Sequence, residues 1–238
     1  MQEEVAKHTK KIYETVTKPG KTIVEKLKEI AVEIFIIVFA VSLSIWLHSW
    51  SDQRHEQKEA REFLSGLKGD LSKDMLLLEE NKKIAIRLDS NFRGLSRLIE
   101  SHAVDTVMDR TISRYLYFDL VITHAAVGRY EGFKSSGRMG LIENDSLKQQ
   151  ILEYYEQTIP DLNSGENYVN TVQSRILDSE IDKGDKTALK DFVKSFKIRG
   201  LLELGAKNIE ERIREYDSMI KQAQKIIGLI DGDNAGLR

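Results

Sequence analysis

The chain has no cysteine and only two prolines in 238 residues. The first absence excludes a disulfide scaffold, a Cys-ligated zinc site and a thiol nucleophile, and is compatible with either side of a membrane. The second leaves long helices unbroken, because proline removes a helical donor and clashes with the preceding turn. No stretch alternates apolar and polar side chains over the roughly six positions that a strand assignment needs. Low-complexity segments and internal repeats are also missing. Net charge is −2 with 31% charged residues, so there is no basic excess and nucleic acid is not an expected partner. The histidines at 8, 48, 55, 102 and 124 form no His-x-x-x-His pair. Gly20-Lys21-Thr22 ends like a phosphate loop, but Thr15 stands where the earlier glycine belongs. Neither a Gly-x-Ser-x-Gly elbow nor a Ser-x-x-Lys motif surrounds Ser135 and Ser136. No catalytic residue, cofactor or metal site is therefore expected, and the chain is not expected to be an enzyme.

What is present is one long apolar run, Ile30 to Trp50. Its 21 residues give about 31 Å of helix, close to a hydrocarbon core of about 30 Å. Twelve residues between Ile30 and Leu47 are Ile, Leu, Val or Phe, Ile37 and Phe39 among them. Together they favour insertion by roughly 4–7 kcal/mol. Glu33 opposes insertion, but it sits within a turn of the start, where it can reach the headgroups. Trp46 and Trp50 lie a turn apart at the far end, as interfacial anchors do. A cleavable signal would start nearer the N-terminus and end in small residues, so an uncleaved signal anchor is expected.

Orientation follows from lysine and arginine. Residues 10–29 hold six of them and residues 51–70 hold four, which places the N-terminus in the cytoplasm. The expected organisation is a cytoplasmic tail (1–29), a transmembrane helix (30–50) and a periplasmic domain (51–238). A domain of that size can bury one core.

Helical periodicity runs through the large domain. Leu64, Leu67, Leu71, Met75, Leu78, Ala85, Leu88, Phe92, Leu95 and Ile99 share one face of a helix that continues directly from the span. Ile209, Ile213, Tyr216, Ile220, Ala223, Ile227 and Ile230 step 4-3-4-3-4-3 along the last helix, with Gly228 and Gly232 predicting its stop. Between them the spacing predicts a helix over 109–129, with Ile112, Leu116, Leu120 and Thr123 in line. Another starts after Asn144-Asp145-Ser146, any of which can cap it, and is interrupted or kinked at Pro160, and a short one spans 186–197. The fold class is all-α: one transmembrane helix continuing into an extracytoplasmic antiparallel bundle with long coiled-coil-like helices.

One segment breaks the pattern. Glycines 132, 137 and 140 surround Phe133, Lys134, Ser135, Ser136, Gly137 and Arg138. Side chains and exposed backbone N–H groups there could hold an anion. The alternative, which is favoured, is a structured helix connection with Phe133, Met139, Leu141 and Ile142 tucked inside.

The Glu-containing span ending at Trp50, the charged helix with Phe63, Leu64, Leu67, Asp70 and Leu71, the Phe133–Gly137 segment, Leu141–Asn144 and Tyr154-Tyr155 follow in an order that resembles a known family. It is a Gram-negative bacterial family of single-span proteins carrying a domain of unknown function. The resemblance covers most of the chain from about Glu29, and is limited to helical character after Pro160. Leu-His-Ser-Trp replaces the polar Asn-rich turn more common there. The resemblance implies architecture and no activity, cofactor or catalytic residue.

The expected protein is thus a bacterial inner-membrane, single-pass protein whose helical periplasmic domain serves binding or assembly. Its expected partners are membrane lipid and other proteins or a second copy of itself. One alternative is a sensory module that signals through the span to a partner of the tail. A second is an enzyme using the Ser-Ser-Gly segment.

Overall fold

The computed structural model describes residues 23–184 and 187–236, with Lys7, Lys10, Tyr13 and Glu14. The side chains of 23–26, 29–30 and 234–236 lie outside that description, as do Ile12 and Val16 of the tail. Ile30 is thus placed by backbone alone. The chain divides into two compact units, 1–59 and 60–238.

Helix α1 (Ile23–Glu100) begins in the first unit and carries the apolar run. It is long and apolar enough to cross a membrane, with a window of mean hydropathy 2.1 of which 6% is buried. Phe35, Phe39, Trp46 and Trp50 are all exposed, Phe35 at 67%, an arrangement suited to lipid and costly in water. Phe35 and Phe39 stack at 6.1 Å, and the Arg54 guanidinium lies 4.0 Å from the centre of the Trp50 ring. Glu33 differs from its surroundings: it is only 6% exposed and engaged, and with half-buried Ile37, Val41 and Ser44 it forms a covered stripe.

The second unit is helical, and no strand occurs among its described residues. After α1 come a 3₁₀ turn (Ala103–Asp105), α2 (Asp109–Tyr115), α3 (Gly128–Ser135), a 3₁₀ turn (Arg138–Leu141), α4 (Asp145–Glu153), a π turn (Tyr154–Thr158), α5 (Ile159–Asp182), α6 (Leu189–Lys194) and α7 (Phe196–Gly236). Ion pairs fix the direction of α7 against α1. Lys68 meets Asp231 at 2.6 Å, Lys82 meets Asp217 at 2.5 Å and Arg93 meets Glu210 at 2.6 Å, so one helix descends as the other rises. Thr158 with Gln222 and Glu166 with Tyr216 set α5 antiparallel to α7 in the same way.

The core follows the helical stripes. Leu67, Leu71, Leu78, Ala85, Phe92 and Leu95 of α1 are fully buried, as are Ile209, Tyr216 and Ala223 of α7; Ile220 is nearly so. Ile213 and Ile227, in the same seam, are half-buried. Leu202, Met219 and Ile226 are buried beside it, because α7 presents one flank to α1 and another to α5. The seam is therefore broader than a single 4-3 line.

Of four boundaries that the sequence marks, three differ in the structure. The helix expected over 109–129 stops at Tyr115, and residues 117–127 belong to no helix, with buried and exposed side chains alternating over 120–124. Val121 and Thr123 point inward, while Leu120 is 59% exposed, so this β-branched stretch follows period two. The break expected at Pro160 falls just before it, where the α-helix gives way to a π turn. Pro160 itself occupies the first turn of α5, where its missing N–H matters least. The short helix is narrower, Leu189–Lys194, and Asp185 and Lys186 lie outside the description. Gly228 and Gly232 do not end α7, which continues to Gly236.

Gly205 shows what a glycine inside α7 accomplishes. A Cβ there would lie 2.9 Å from the Phe92 ring, so the missing side chain lets α1 and α7 close. Gly69, exposed on α1, faces nothing within 4 Å. Gly205→Ala is expected to destabilise by about 1–3 kcal/mol through overpacking, despite its gain in helix propensity. Gly69→Ala is expected to stabilise by about 0.5–1 kcal/mol. Chemical denaturation of both variants checks the opposite signs.

Candidate functional site

The non-helical segment 117–127, extended by its period-two burial over 120–124, is a strap with no neighbouring strand among the described residues. Buried peptide groups need hydrogen-bond partners, and here side chains of two helices supply them. From α1, Asn91 Nδ2 donates to the Tyr117 carbonyl (3.2 Å) and Asn81 Nδ2 to the Ile122 carbonyl (2.9 Å). Also on α1, Asp74 Oδ1 accepts from Ala126 N–H (2.9 Å). From α5, Asn170 reads both groups of Val121: its Oδ1 accepts the N–H (3.1 Å) and its Nδ2 donates to the carbonyl (2.8 Å). Glu166 Oε2 accepts Thr123 N–H (2.7 Å).

Glu166 is the centre of this polar layer. Its Oε1 also accepts from the Thr123 hydroxyl (2.6 Å) and from the Tyr216 hydroxyl of α7 (2.5 Å). Asn81 Nδ2 completes the cluster by donating to Thr123 Oγ1 (2.9 Å). One carboxylate thus ties the strap to α5 and α7.

Asp74 is the second buried carboxylate, and like Glu166 it is only 2% exposed. The Tyr154 hydroxyl donates to its Oδ2 at 3.4 Å. Burial pushes the Asp74 carboxyl above its ordinary value of 3.8 and nearby Asp70 adds to the rise, while the Ala126 and Tyr154 hydrogen bonds oppose it. Consecutive Tyr154 and Tyr155 open the π turn and are both buried, side by side on one core-facing stripe. Tyr155 stacks on Tyr130 at 4.4 Å and meets Tyr154 edge-on at 5.1 Å. Its buried hydroxyl has no hydrogen-bond partner. Burial raises the phenols of Tyr130, Tyr154, Tyr155 and Tyr216 beyond their ordinary range, so none offers a phenolate nucleophile at neutral pH.

A raised folded-state pKa means that the fold prefers Asp74 protonated. Its contribution to stability therefore falls as pH rises from about 4 through the raised value. Asp74→Asn keeps an acceptor for Ala126 and offers its amide to the Tyr154 oxygen, without the charge. The variant is expected to match wild type at acid pH and to gain on it as pH rises. Thermal melting between about pH 4 and 8 checks the divergence, and parallel curves would contradict the assignment.

The Ser-Ser-Gly segment has local uses for its polar groups. The Ser135 hydroxyl donates to the Gly132 carbonyl and the Ser136 hydroxyl to the Phe133 carbonyl, so both close the end of α3. Gly137 takes φ +75°, the left-handed turn that glycine permits. Lys134 pairs with Glu156 at 2.5 Å, and Tyr130 donates to the same Glu156. Phe133 stacks on Phe63 at 3.9 Å. Arg138 opens the following 3₁₀ turn and is also engaged. Met139 and Leu141 are partly buried against the core and Ile142 is fully so.

A groove of about 970 Å³ lies between the end of α1 and the start of α7, with Arg97, Arg199, Glu203 and the 86% exposed Phe196 on its walls. Among the described residues no cluster of His, Asp and Glu could hold a metal ion. The buried layer accepts and donates hydrogen bonds to the main chain between Tyr117 and Ala126.

Sequence reasoning passed over the strap's anchors, yet they leave a signal. Asp74 and Asn81 fall in the same stripe as Leu71, Leu78 and Ala85. Glu166 and Gln173 fall in the stripe of Leu162, Val169 and Ile176. A polar residue at a core position needs a buried partner. No family model matches the chain, and no curated protein or solved structure is similar to it.

Proposed function

We propose that the protein is a single-pass, membrane-anchored binding or assembly protein, with a short cytoplasmic tail and a helical periplasmic bundle at the bacterial inner membrane. The observation that carries the anchor is the exposed apolar face of α1, Phe35 to Trp50, in a chain whose second unit buries a core of its own. Lysine bias supports tail-in orientation. The binding role draws on the polar layer, whose side chains engage both groups of a peptide unit.

Two fractions test this reading. Alkaline extraction of bacterial membranes is expected to leave the full chain in the pellet, and release into the supernatant would contradict the anchor. Amine cross-linking in intact cells is expected to give a defined larger species, since exposed lysines cover both long helices. A monomer band alone would contradict binding and assembly.

A further inference from the structure

The strap is held the way a bound peptide is held. Asn170 grips both main-chain groups of Val121, Asn81 and Asn91 donate to the Ile122 and Tyr117 carbonyls, and Glu166 and Asp74 accept from Thr123 and Ala126. These six bonds reach backbone rather than side chains, so they read an extended conformation with little regard to sequence. Specificity comes from two inward positions, Val121 and Thr123, spaced two apart with outward-facing Ile122 between them. The buried Gln173 Oε1 is without a partner, and its Nε2 lies 3.4 Å from Asn170 Oδ1, so the layer holds a spare acceptor beside the strap. On either side of the strap the backbone is helical and bonded to itself, whereas the strap depends on side chains that α1 and α5 keep when it leaves. Because its main-chain partners are side chains of other elements, the strap can open without breaking the hydrogen-bond ladders of α1 and α5.

We propose that the cleft between α1 and α5 is a binding site for an extended peptide with small β-branched residues at alternate positions, and that residues 117–127 occupy it in cis as an autoinhibitory strap. This rests on the binding reading above and names its partner class. Tethering gives the strap a high effective concentration, so a peptide in trans binds only when the strap is weakened or opened.

The test uses the full chain in detergent, where neither orientation nor insertion enters. Hydrogen exchange followed by mass spectrometry is expected to show strap amides opening at least about tenfold faster than the buried turns of α5 and α7. Asn170→Ala is expected to speed the strap further and leave α7 unchanged. A labelled peptide with the sequence of residues 117–127 is the probe for binding in trans. Val121→Gly with Thr123→Gly, which loosens the strap and keeps the cleft, is expected to bind it at least about tenfold more tightly than wild type. Adding Asn170→Ala is expected to remove that binding. Strap exchange that occurs only together with α5 and α7 overturns the proposal, as does equal peptide binding by wild type and variant. If the glycine variant fails to fold, the exchange result on wild type still decides. Loss of peptide binding with the cross-linked species intact would sink the peptide site and spare the assembly reading.

Discussion

Glu166→Leu is expected to cost about 4 kcal/mol, the sum of leaving three buried donors without an acceptor. The donors are Thr123 N–H, the Thr123 hydroxyl and the Tyr216 hydroxyl, and all converge on one carboxylate. Leucine fills similar space, so the loss is in hydrogen bonding rather than volume. For a chain of this size the melting temperature should fall by roughly 8–16 °C. Glu166→Gln separates charge from shape: its amide retains one acceptor oxygen, so the cost should drop to about 1–2 kcal/mol. Exchange over the strap should rise in both variants before α1 or α7 is affected. A leucine variant with wild-type melting would mean that the polar layer does not hold the unit together.

Ile37→Arg combined with Phe39→Arg is expected to abolish membrane retention. Each arginine near the middle of a span costs about 2.5–3.5 kcal/mol, so the pair matches or exceeds the roughly 4–7 kcal/mol that the apolar side chains contribute. The double variant should move from the alkaline-washed pellet to the supernatant. Its second unit should still melt cooperatively, because that unit's core lies within residues 60–238. Retention of the double variant in the membrane would place the anchor elsewhere.

The long apolar stripes were legible in the sequence because each is set by local periodicity. Leu64 to Ile99 and Ile209 to Ile230 bury the faces that their spacing implies. A cap among Asn144, Asp145 and Ser146 was legible for the same local reason, and Asn144 is the one whose side chain accepts Leu147 N–H, at 3.0 Å. The strap was not legible. Ile112, Leu116 and Leu120 match a helical spacing, and nothing local shows that Asn81, Glu166 and Asn170 will satisfy an extended backbone from 40 or more residues away. Tertiary partners overrode the local pattern. A break near Pro160 was legible from the residue itself, but the π turn that makes the break was not. The Ser-Ser-Gly segment combines glycine, hydroxyl and cation as an anion loop would, and only the geometry shows the hydroxyls bonded to their own helix. In each case the missing information was the partner.

The absence of cysteine makes the central claim directly measurable, since one introduced thiol is the only thiol in the chain. Lys10→Cys and Ser218→Cys replace exposed residues on the two sides of the apolar run. Each full-length variant would be treated with a membrane-impermeant maleimide in spheroplasts and again after lysis. The account predicts that Ser218→Cys is labelled in intact spheroplasts and that Lys10→Cys is labelled only after lysis. Labelling of both in intact spheroplasts, or of Lys10→Cys alone, would contradict a single span with its N-terminus in the cytoplasm.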